Sequence, residues 1–174
     1  MSDLDILYIP SPNYDYRPAG TIIDLVVVHA ISLPPGKFGS GAVIDFFTNT
    51  LDFSREPYFA ELTELKVSSH YYIERSGRII SFVKDENRAW HAGVSSFSGR
   101  SNCNDFSLGI ELEGDDFTRF SENQYKQLNH LLEVLKLKYP AITAQRIVGH
   151  CHIAPQRKSD PGPFFDWHRI GVDS

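Results

Sequence analysis

The chain has 174 residues, of which 41% are hydrophobic, and its formal net charge is -5. This size fits a single domain over residues 1–174, with a core over about 22–170 and an extended N-terminal segment over 1–21. The negative charge argues against a nucleic-acid partner, because binding to a polyanion normally needs a basic face.

The sequence also carries signals of the cellular compartment. The first residues are acidic where a secretion signal is basic, and no uncharged apolar stretch is long enough to span a bilayer. Cys103 and Cys151 are too few for a disulfide scaffold. We therefore expect a cytoplasmic protein with reduced thiols and no membrane partner. Nothing in the sequence fixes the oligomeric state, so a monomer is the default expectation.

The first half of the chain predicts a buried strand, a short helix and a hairpin. Residues 10–18, rich in proline and tyrosine, should lie extended across the surface. The β-branched run over 22–29 predicts a strand buried on both faces that ends at His29. Ligands of open α/β sheets bind at this end of a strand. A short helix over 41–49 and a glycine-turn hairpin over 69–83 follow.

The second half begins with a loop over 90–104 that is rich in Ser, Gly and Asn. This loop is too polar to be core and is a candidate substrate wall. Residues 107–114 then alternate strictly between apolar and other side chains. The alternation predicts a strand that carries Glu111 and Glu113 on one face.

The chain ends with a helix, a short strand and a helical turn. A capping box at Ser121 and leucines at helical spacing predict a helix over 121–139. A strand over 146–148 should deliver His150. Residues 164–170 predict a last helical turn.

The run over 149–163 concentrates possible metal ligands in a loop that its prolines hold rigid. His150 and Asp160 are candidates, although Asp160 alone could equally be a turn residue. His29 is the candidate third ligand, because packing at the end of a buried strand favours an aliphatic side chain. Two histidines and a carboxylate, with water in the fourth position, make a catalytic zinc site.

Other ligands remain possible. Cys151 should point away from its neighbour His150, and His152 would share the side of His150 only if the strand continued. A structural zinc domain would need one of these two as a fourth ligand. For His130 and His168 a structural role is the simpler interpretation.

An amide hydrolase built on such a site needs a base and a fixed cation. Glu111 or Glu113 could be the base, and Lys158 the cation. An exposed strand face and a solvated turn are the alternative interpretations of these residues.

Six segments together resemble the zinc-dependent N-acetylmuramoyl-L-alanine amidases of the type-2 amidase and peptidoglycan-recognition superfamily. These segments are residues 28–29, 69–71, 89–93, 103–114, 149–151 and 157–163. The resemblance runs in order from Pro10 to about Arg169, and it is greatest to the cytosolic cell-wall recycling members. It implies an α/β fold, with a central mixed β-sheet flanked by α-helices and a zinc site in an open groove at the sheet edge.

The resemblance also implies roles for individual residues. His29, His150 and Asp160 would hold Zn²⁺, Glu111 rather than Glu113 would be the general base, and Lys158 would stabilise the oxyanion. The residues that would line the groove are Trp90, His91 and Arg157.

The implied reaction is hydrolysis of the amide between the lactyl group of (1,6-anhydro-)N-acetylmuramic acid and L-alanine in muropeptides, during peptidoglycan recycling. A non-catalytic muropeptide-binding module of the same superfamily is the alternative. Two residues depart from the family pattern, since Ala30 and His152 stand where members commonly carry Asn. Because Ala30 lacks the Asn side-chain amide, we expect one fewer hydrogen bond to the substrate.

Overall fold

A computed structural model describes residues 4–172 of the chain. Its ten strands are β1 (Ile6–Tyr8), β2 (Tyr14–Tyr16), β3 (Leu25–Ile31), β4 (Tyr71–Ile73), β5 (Ile79–Ser81), β6 (Asn87–Ala89), β7 (Ser96–Phe97), β8 (Arg100–Ser101), β9 (Ser107–Glu113) and β10 (Ile147–Gly149). Its three α-helices are α1 (Ala42–Phe47), α2 (Glu122–Lys138) and α3 (His150–Ile153).

The core of the fold is a mixed six-stranded sheet in the order β1–β5–β4–β9–β3–β10. The contacts of β9 with β3 and β4 and of β10 with β3 are parallel, whereas β4 and β5 form the predicted antiparallel hairpin. Every residue of β9 is buried, as expected for a strand covered on both faces. The predicted α/β class with a mixed central sheet is confirmed.

The strand β3 differs from its prediction at both ends. It begins at Leu25 rather than at residue 22, and it continues two residues beyond His29 to Ile31. The reason is its partner β9, which stays in parallel register as far as the Ile31–Glu113 pair. His29 therefore lies inside the strand, and the pairing of β3 with β9 continues beyond it.

Helix α2 covers one face of the sheet. It begins at the predicted capping box, in which the Ser121 hydroxyl accepts the Gln124 backbone N–H and the Gln124 side chain accepts the Ser121 backbone N–H. Its buried side chains share one apolar cluster with the inward side chains of β9. The members from these two elements are Leu108, Ile110, Leu112, Tyr125, Leu128, Leu131, Leu132 and Leu135.

The opposite face is covered by the segment between β3 and β4. Helix α1 buries Phe46 and Phe47 there, and a 3-10 turn over Pro57–Leu62 buries Phe59. These side chains pack with Tyr72 of β4 in a second apolar cluster. The predicted short helix over 41–49 is thus confirmed as Ala42–Phe47.

The N-terminal segment does more than lie extended across the surface. Its strand β1 pairs with β5 at the sheet edge, and β2 pairs with β6. Between them the buried amide of Asn13 donates hydrogen bonds to Asn49 and to the Val67 carbonyl, at 3.0 and 2.8 Å. This segment therefore joins the sheet edge to the segment that carries α1.

The loop over 90–104, which was predicted to be too polar for the core, is partly buried. It contains the small hairpin of β7 and β8, and both of its ends are buried, at His91 and Ala92 and at Asn104. Farther along, the predicted last helical turn is a 3-10 turn over Trp167–Ile170. Among residues 4–172, no helix is long and apolar enough to cross a membrane.

Candidate functional site

A cavity of about 350 Å³ lies beside His29 on the sheet face that carries α1. One side of it is apolar and includes Phe46, Phe47, Tyr58, Leu62 and Leu65. The other side carries the candidate chemical groups His29, Trp90, His91, Glu111, His150, Lys158 and Asp160. The fold thus brings residues from β3, β9, α3 and three loops to one place.

Three side chains that could hold a metal ion converge at this cavity. Nδ1 of His29 lies 3.0 Å from Nδ1 of His150 and 3.1 Å from Oδ2 of Asp160. The third separation, from His150 Nδ1 to the same carboxylate oxygen, is 3.2 Å. These three residues are the one such group found in the described part of the chain.

The donor set fits a transition metal ion. Ligands at about 2.0–2.1 Å in tetrahedral geometry lie about 3.3 Å from one another, close to the separations seen here. Imidazole nitrogen combined with a carboxylate oxygen is a normal zinc donor set. His29 and His150 are 1% and 3% exposed, so the fold already excludes most of the solvent that would compete for the ion.

The protonation of the cluster suits metal binding. Burial lowers the pKa of His29 to about 4, although the neighbouring Asp160 opposes the shift. Burial by itself raises the pKa of Asp160, but contacts with His150 and His29 outweigh it and hold this pKa well below its usual range. At neutral pH the site therefore contains an uncharged imidazole at His29 and an ionised carboxylate at Asp160.

Glu111 lies next to this cluster with a carboxylate oxygen that has no partner. It is the register neighbour of His29 across the β3–β9 pair, and its side chain lines the same cavity. Its Oε2 atom is buried and accepts no hydrogen bond from residues 4–172. Burial and the charge of Asp160 raise the pKa of Glu111 well above its usual value, against the opposing effect of Lys158. Such a group is poised to take up a proton.

Glu113, the other acid on this strand, has hydrogen-bond partners on both carboxylate oxygens. Its two carboxylate oxygens accept the backbone N–H groups of Gly39 and of Arg75, the latter at 3.1 Å. Glu113 therefore fastens two loops to the end of β9, and its oxygens are not available to a substrate in the way that those of Glu111 are.

The predicted groove residues Trp90, His91 and Arg157 lie in different surroundings. Trp90 lines the cavity, as does Lys158, the predicted oxyanion stabiliser. The Arg157 guanidinium donates instead to the carbonyls of Ala92 and Val94, at 2.7 and 3.0 Å. His91 is only 8% exposed, and both of its ring nitrogens have partners. Substrate contact by these residues stays a prediction.

His152 and Cys151 do not join the candidate ligands. Nδ1 of His152 accepts the Gly149 N–H at 2.9 Å, and its ring packs on Trp167 with centroids 5.3 Å apart. The reason is helix α3, which turns the chain away directly after Gly149. A closed four-ligand structural site is therefore not formed by the described residues.

Sequence reasoning missed two parts of the site. One is the apolar side of the cavity, whose residues come from a segment without regular periodicity. The other is Asn104, whose Oδ1 accepts the backbone N–H groups of His91 and Ala92, at 3.1 and 2.8 Å. A polar residue in a Ser/Gly/Asn-rich loop gives no signal that distinguishes such a buried acceptor from a solvated one.

Comparison with known proteins places this arrangement in a family. Residues 19–163 match the family model Amidase_2, described as N-acetylmuramoyl-L-alanine amidase. The chain is 53% identical over 165 residues to 1,6-anhydro-N-acetylmuramyl-L-alanine amidase AmpD of Haemophilus influenzae, which covers 95% of this chain and 90% of that protein.

Solved structures agree with the sequence match. A crystal structure of a Se-Met AmpD derivative has a TM-score of 0.93 at 50% identity, and the similarity covers 97% of this chain and 94% of that one. A second, with a TM-score of 0.65 at 29% identity over 91% and 62% of the two chains, is the amidase AmiD from E. coli in complex with the substrate anhydro-N-acetylmuramic acid-L-Ala-D-gamma-Glu-L-Lys. On both grounds, the chain belongs to the N-acetylmuramoyl-L-alanine amidase family.

Proposed function

We propose that this protein is a zinc-dependent amidase that cleaves the amide between the lactyl group of (1,6-anhydro-)N-acetylmuramic acid and L-alanine in muropeptides, during peptidoglycan recycling. The observation that carries the proposal is the unpartnered, buried oxygen of Glu111 beside the His29–His150–Asp160 cluster in one cavity. Family membership supplies the bond type, and the relatives' names supply the anhydro-sugar class.

The three clustered residues would hold the zinc ion. When bound, zinc lowers the pKa of a water molecule to about 7 and polarises a carbonyl group. The ligand atoms would be Nδ1 of His29, Nδ1 of His150 and a carboxylate oxygen of Asp160, because these atoms already face one another.

Glu111 would act as the general base and then as the general acid. It accepts a proton from the water that adds to the amide carbonyl carbon, and it passes this proton to the alanine nitrogen as the carbon–nitrogen bond breaks. Burial and the charge of Asp160 raise its pKa, and a raised pKa favours the protonated form that the second half of this task needs. The products are the free carboxylic acid of the sugar and a peptide with a free amino end.

Lys158 would place a positive charge beside the reacting carbonyl. Its side chain lines the cavity, close enough to Glu111 and His29 to influence the pKa of both. A fixed cation there stabilises the oxyanion that develops on the carbonyl oxygen. The apolar side of the cavity and Trp90 would receive the sugar and the lactyl group.

The cytoplasmic location, the monomeric state and the groove role of Arg157 remain predictions. Both cysteines of the protein are free thiols in this structure, which is compatible with a reducing compartment.

The alternative, a non-catalytic muropeptide-binding module, explains less of the site. A binding module has no use for a buried carboxylate oxygen without a partner, since this arrangement costs folding free energy. A hydrolase needs that same group as a base. The structure gives no specific observation in favour of the binding module.

The proposal is tested by measuring zinc content and release of free peptide from anhydro-muropeptide, for the wild type and for Glu111→Ala. We expect about one zinc per chain in both proteins and peptide release by the wild type alone. A zinc-loaded wild type that binds the muropeptide without cleaving it would establish the binding module instead. A protein that takes up no zinc would refute the assignment of the ligands.

A further inference from the structure

The two histidines of the candidate metal site both rest against the same short segment, His91-Ala92. We propose that this segment positions both metal ligands: the His91 side chain and the Ala92 carbonyl each accept the Nε2–H of one ligand histidine, so that both ligands present Nδ1 to the ion. This inference rests on the proposed metal site. It gives His91 a task other than the substrate contact that the sequence predicted.

The hydrogen-bond chain behind His29 has one consistent direction. Ser107 donates its hydroxyl hydrogen to the Cys103 carbonyl at 2.6 Å, because a carbonyl can only accept. Ser107 Oγ is then the acceptor for Nε2–H of His91, at 3.2 Å. In neutral His91 the other nitrogen, Nδ1, is therefore an acceptor, and it lies 2.9 Å from Nε2 of His29. His29 must carry its hydrogen on Nε2, which leaves the lone pair of Nδ1 facing the cluster.

The partner of His150 fixes the same tautomer by a shorter route. Nε2 of His150 lies 3.1 Å from the Ala92 carbonyl oxygen, which can only accept. Nε2 therefore carries the hydrogen, so that in the neutral ring the lone pair of Nδ1 faces Asp160. Arg157, whose Nη2 atom is 3.4 Å from the same ring nitrogen, donates at 2.7 Å to the Ala92 carbonyl and so holds this acceptor in place.

The His91-Ala92 segment is itself fixed by contacts with Asn104 and Gly109. Asn104 accepts the backbone N–H groups of both His91 and Ala92 through a single oxygen. Gly109 on β9 leaves the space that the His91 ring fills, since a Cβ atom there would lie 2.4 Å from Cγ of His91. His91 thus has one available position, between the sheet and His29.

The arrangement is more specific than burial of a histidine requires. Two imidazole nitrogens and a carboxylate oxygen that point their lone pairs at one location repel one another unless a cation lies between them. Acceptors that fix the outer nitrogen of a ligand histidine set its tautomer and its orientation, and their loss typically weakens metal binding by about 10–100-fold. The structure here obtains both acceptors from adjacent residues.

The first test measures zinc affinity by competition with a chelator for the wild type, His91→Phe and His91→Asn. Phenylalanine keeps a flat ring but accepts nothing, so we expect about 10–100-fold weaker zinc binding. Asparagine places Oδ1 where Nδ1 stood, so we expect it to recover a large part of that loss. If both variants bind zinc as tightly as the wild type while peptide release falls, His91 contacts the substrate and our inference is wrong.

A matched pair of serines separates this role from general packing. Ser107→Ala removes the acceptor for His91, whereas Ser69→Ala removes an equally buried hydroxyl that bonds only to the Tyr71 carbonyl at 2.9 Å. We expect weaker zinc binding from the first and none of this effect from the second. Equal zinc affinity of the two variants would contradict the chain of hydrogen bonds from Ser107 to His29.

The second test needs no variant that disturbs His91 packing. In the zinc-loaded wild type labelled with ¹⁵N-histidine, NMR should show Nδ1 of His29 and His150 bound to metal and a slowly exchanging hydrogen on each Nε2. Coordination of either histidine through Nε2 would overturn the proposal. A zinc-loaded wild type with this NMR signature but without hydrolysis would refute the proposed function and leave the positioning role standing, whereas absence of zinc binding would refute both.

Discussion

His29 and Glu111 face each other across the parallel pair of β3 and β9, as register partners. The candidate metal ligand and the candidate base are therefore separated by one strand spacing, which the hydrogen bonds of the sheet set. Because side chains alternate between faces, a slip of one residue in this pair would turn one of them away from the cavity. Sheet pairing, rather than a flexible loop, therefore fixes the distance between His29 and Glu111.

The first prediction concerns the free-energy cost of keeping Glu111 buried. Its folded-state pKa is raised, so the ionised form is disfavoured by folding and reduces stability at any pH above the pKa of the unfolded chain. In metal-free protein at pH 7 we therefore expect Glu111→Gln to raise the melting temperature. In zinc-loaded protein we expect the same substitution to lower kcat by about 10²–10⁴-fold. Thermal denaturation and peptide release measure the two effects. A variant that melts earlier and stays active would contradict both.

Glu113→Gln is the matched substitution on the same face of the same strand. Since Glu113 holds the backbone amides of Gly39 and Arg75, we expect a loss of about 1–3 kcal/mol in the free energy of unfolding. The active-site chemistry should remain, with kcat close to that of the wild type. Denaturant titration and steady-state kinetics check this pair of outcomes. Loss of kcat without loss of stability would show that the two acids were assigned in the wrong order.

Removal of the metal or of one ligand should abolish hydrolysis. Asp160→Ala leaves two histidines without the anionic ligand, so we expect it to lose zinc during dialysis under conditions in which the wild type retains it. Chelator treatment of the wild type should stop peptide release, and added zinc should restore it. Zinc content by atomic absorption, followed beside activity, checks the prediction. Undiminished activity in metal-free wild type would exclude the proposed mechanism.

Lys158 should affect the rate more than binding. If its charge acts on the oxyanion, Lys158→Ala lowers kcat by about 10²–10³-fold with a smaller change in KM. Lys158→Arg keeps the charge and should retain more activity than the alanine variant. Zinc content should be unchanged in both, which separates this role from metal binding. An effect confined to KM would instead make Lys158 a substrate-binding residue.

Stability at acid pH should depend on Asp85, a buried carboxylate that is not one of the candidate metal ligands. Burial raises the pKa of this carboxylate, but hydrogen bonds from Lys138 and Tyr71, at 2.7 and 2.6 Å, more than offset this and lower it. A lowered folded pKa gives stability above the unfolded value of about 3.9 that is lost as pH falls through the folded value.

We therefore expect Asp85→Asn to cost about 1–2 kcal/mol at pH 7 and the difference from the wild type to shrink below about pH 4. Urea denaturation of both proteins across this pH range is the measurement. A difference that stays constant into the acid range would show that the charge of Asp85 contributes nothing.

Local sequence patterns predicted which helices and strands are present better than they predicted the residues at which these elements begin and end. Alternation was enough for β9, and the capping box was enough for α2, because both signals lie within the element itself. The end of β3 could not be predicted, since its last two residues are held by β9, which lies about 80 residues farther along the chain.

The choice between Glu111 and Glu113 shows the same limit within the site. Alternation puts both on one face, and only the family resemblance favoured Glu111. What distinguishes them physically is the arrival of two loop amides at Glu113, from Gly39 and Arg75, and a strand pattern contains no information on where distant loops come to rest. The role of Ala92 was equally out of reach, because a backbone carbonyl leaves no trace in the residue type.

The apolar side of the cavity has a consequence for how such proteins can diversify. It is built by the segment that connects β3 to β4, whereas the three candidate ligands, Glu111 and Lys158 all lie outside that segment. Residues 32–67 can therefore be exchanged or lengthened, and the shape of the accepted sugar or peptide altered with them, while the reacting groups keep their places. In this chain, the apolar side of the cavity and the reacting groups come from separate stretches of sequence.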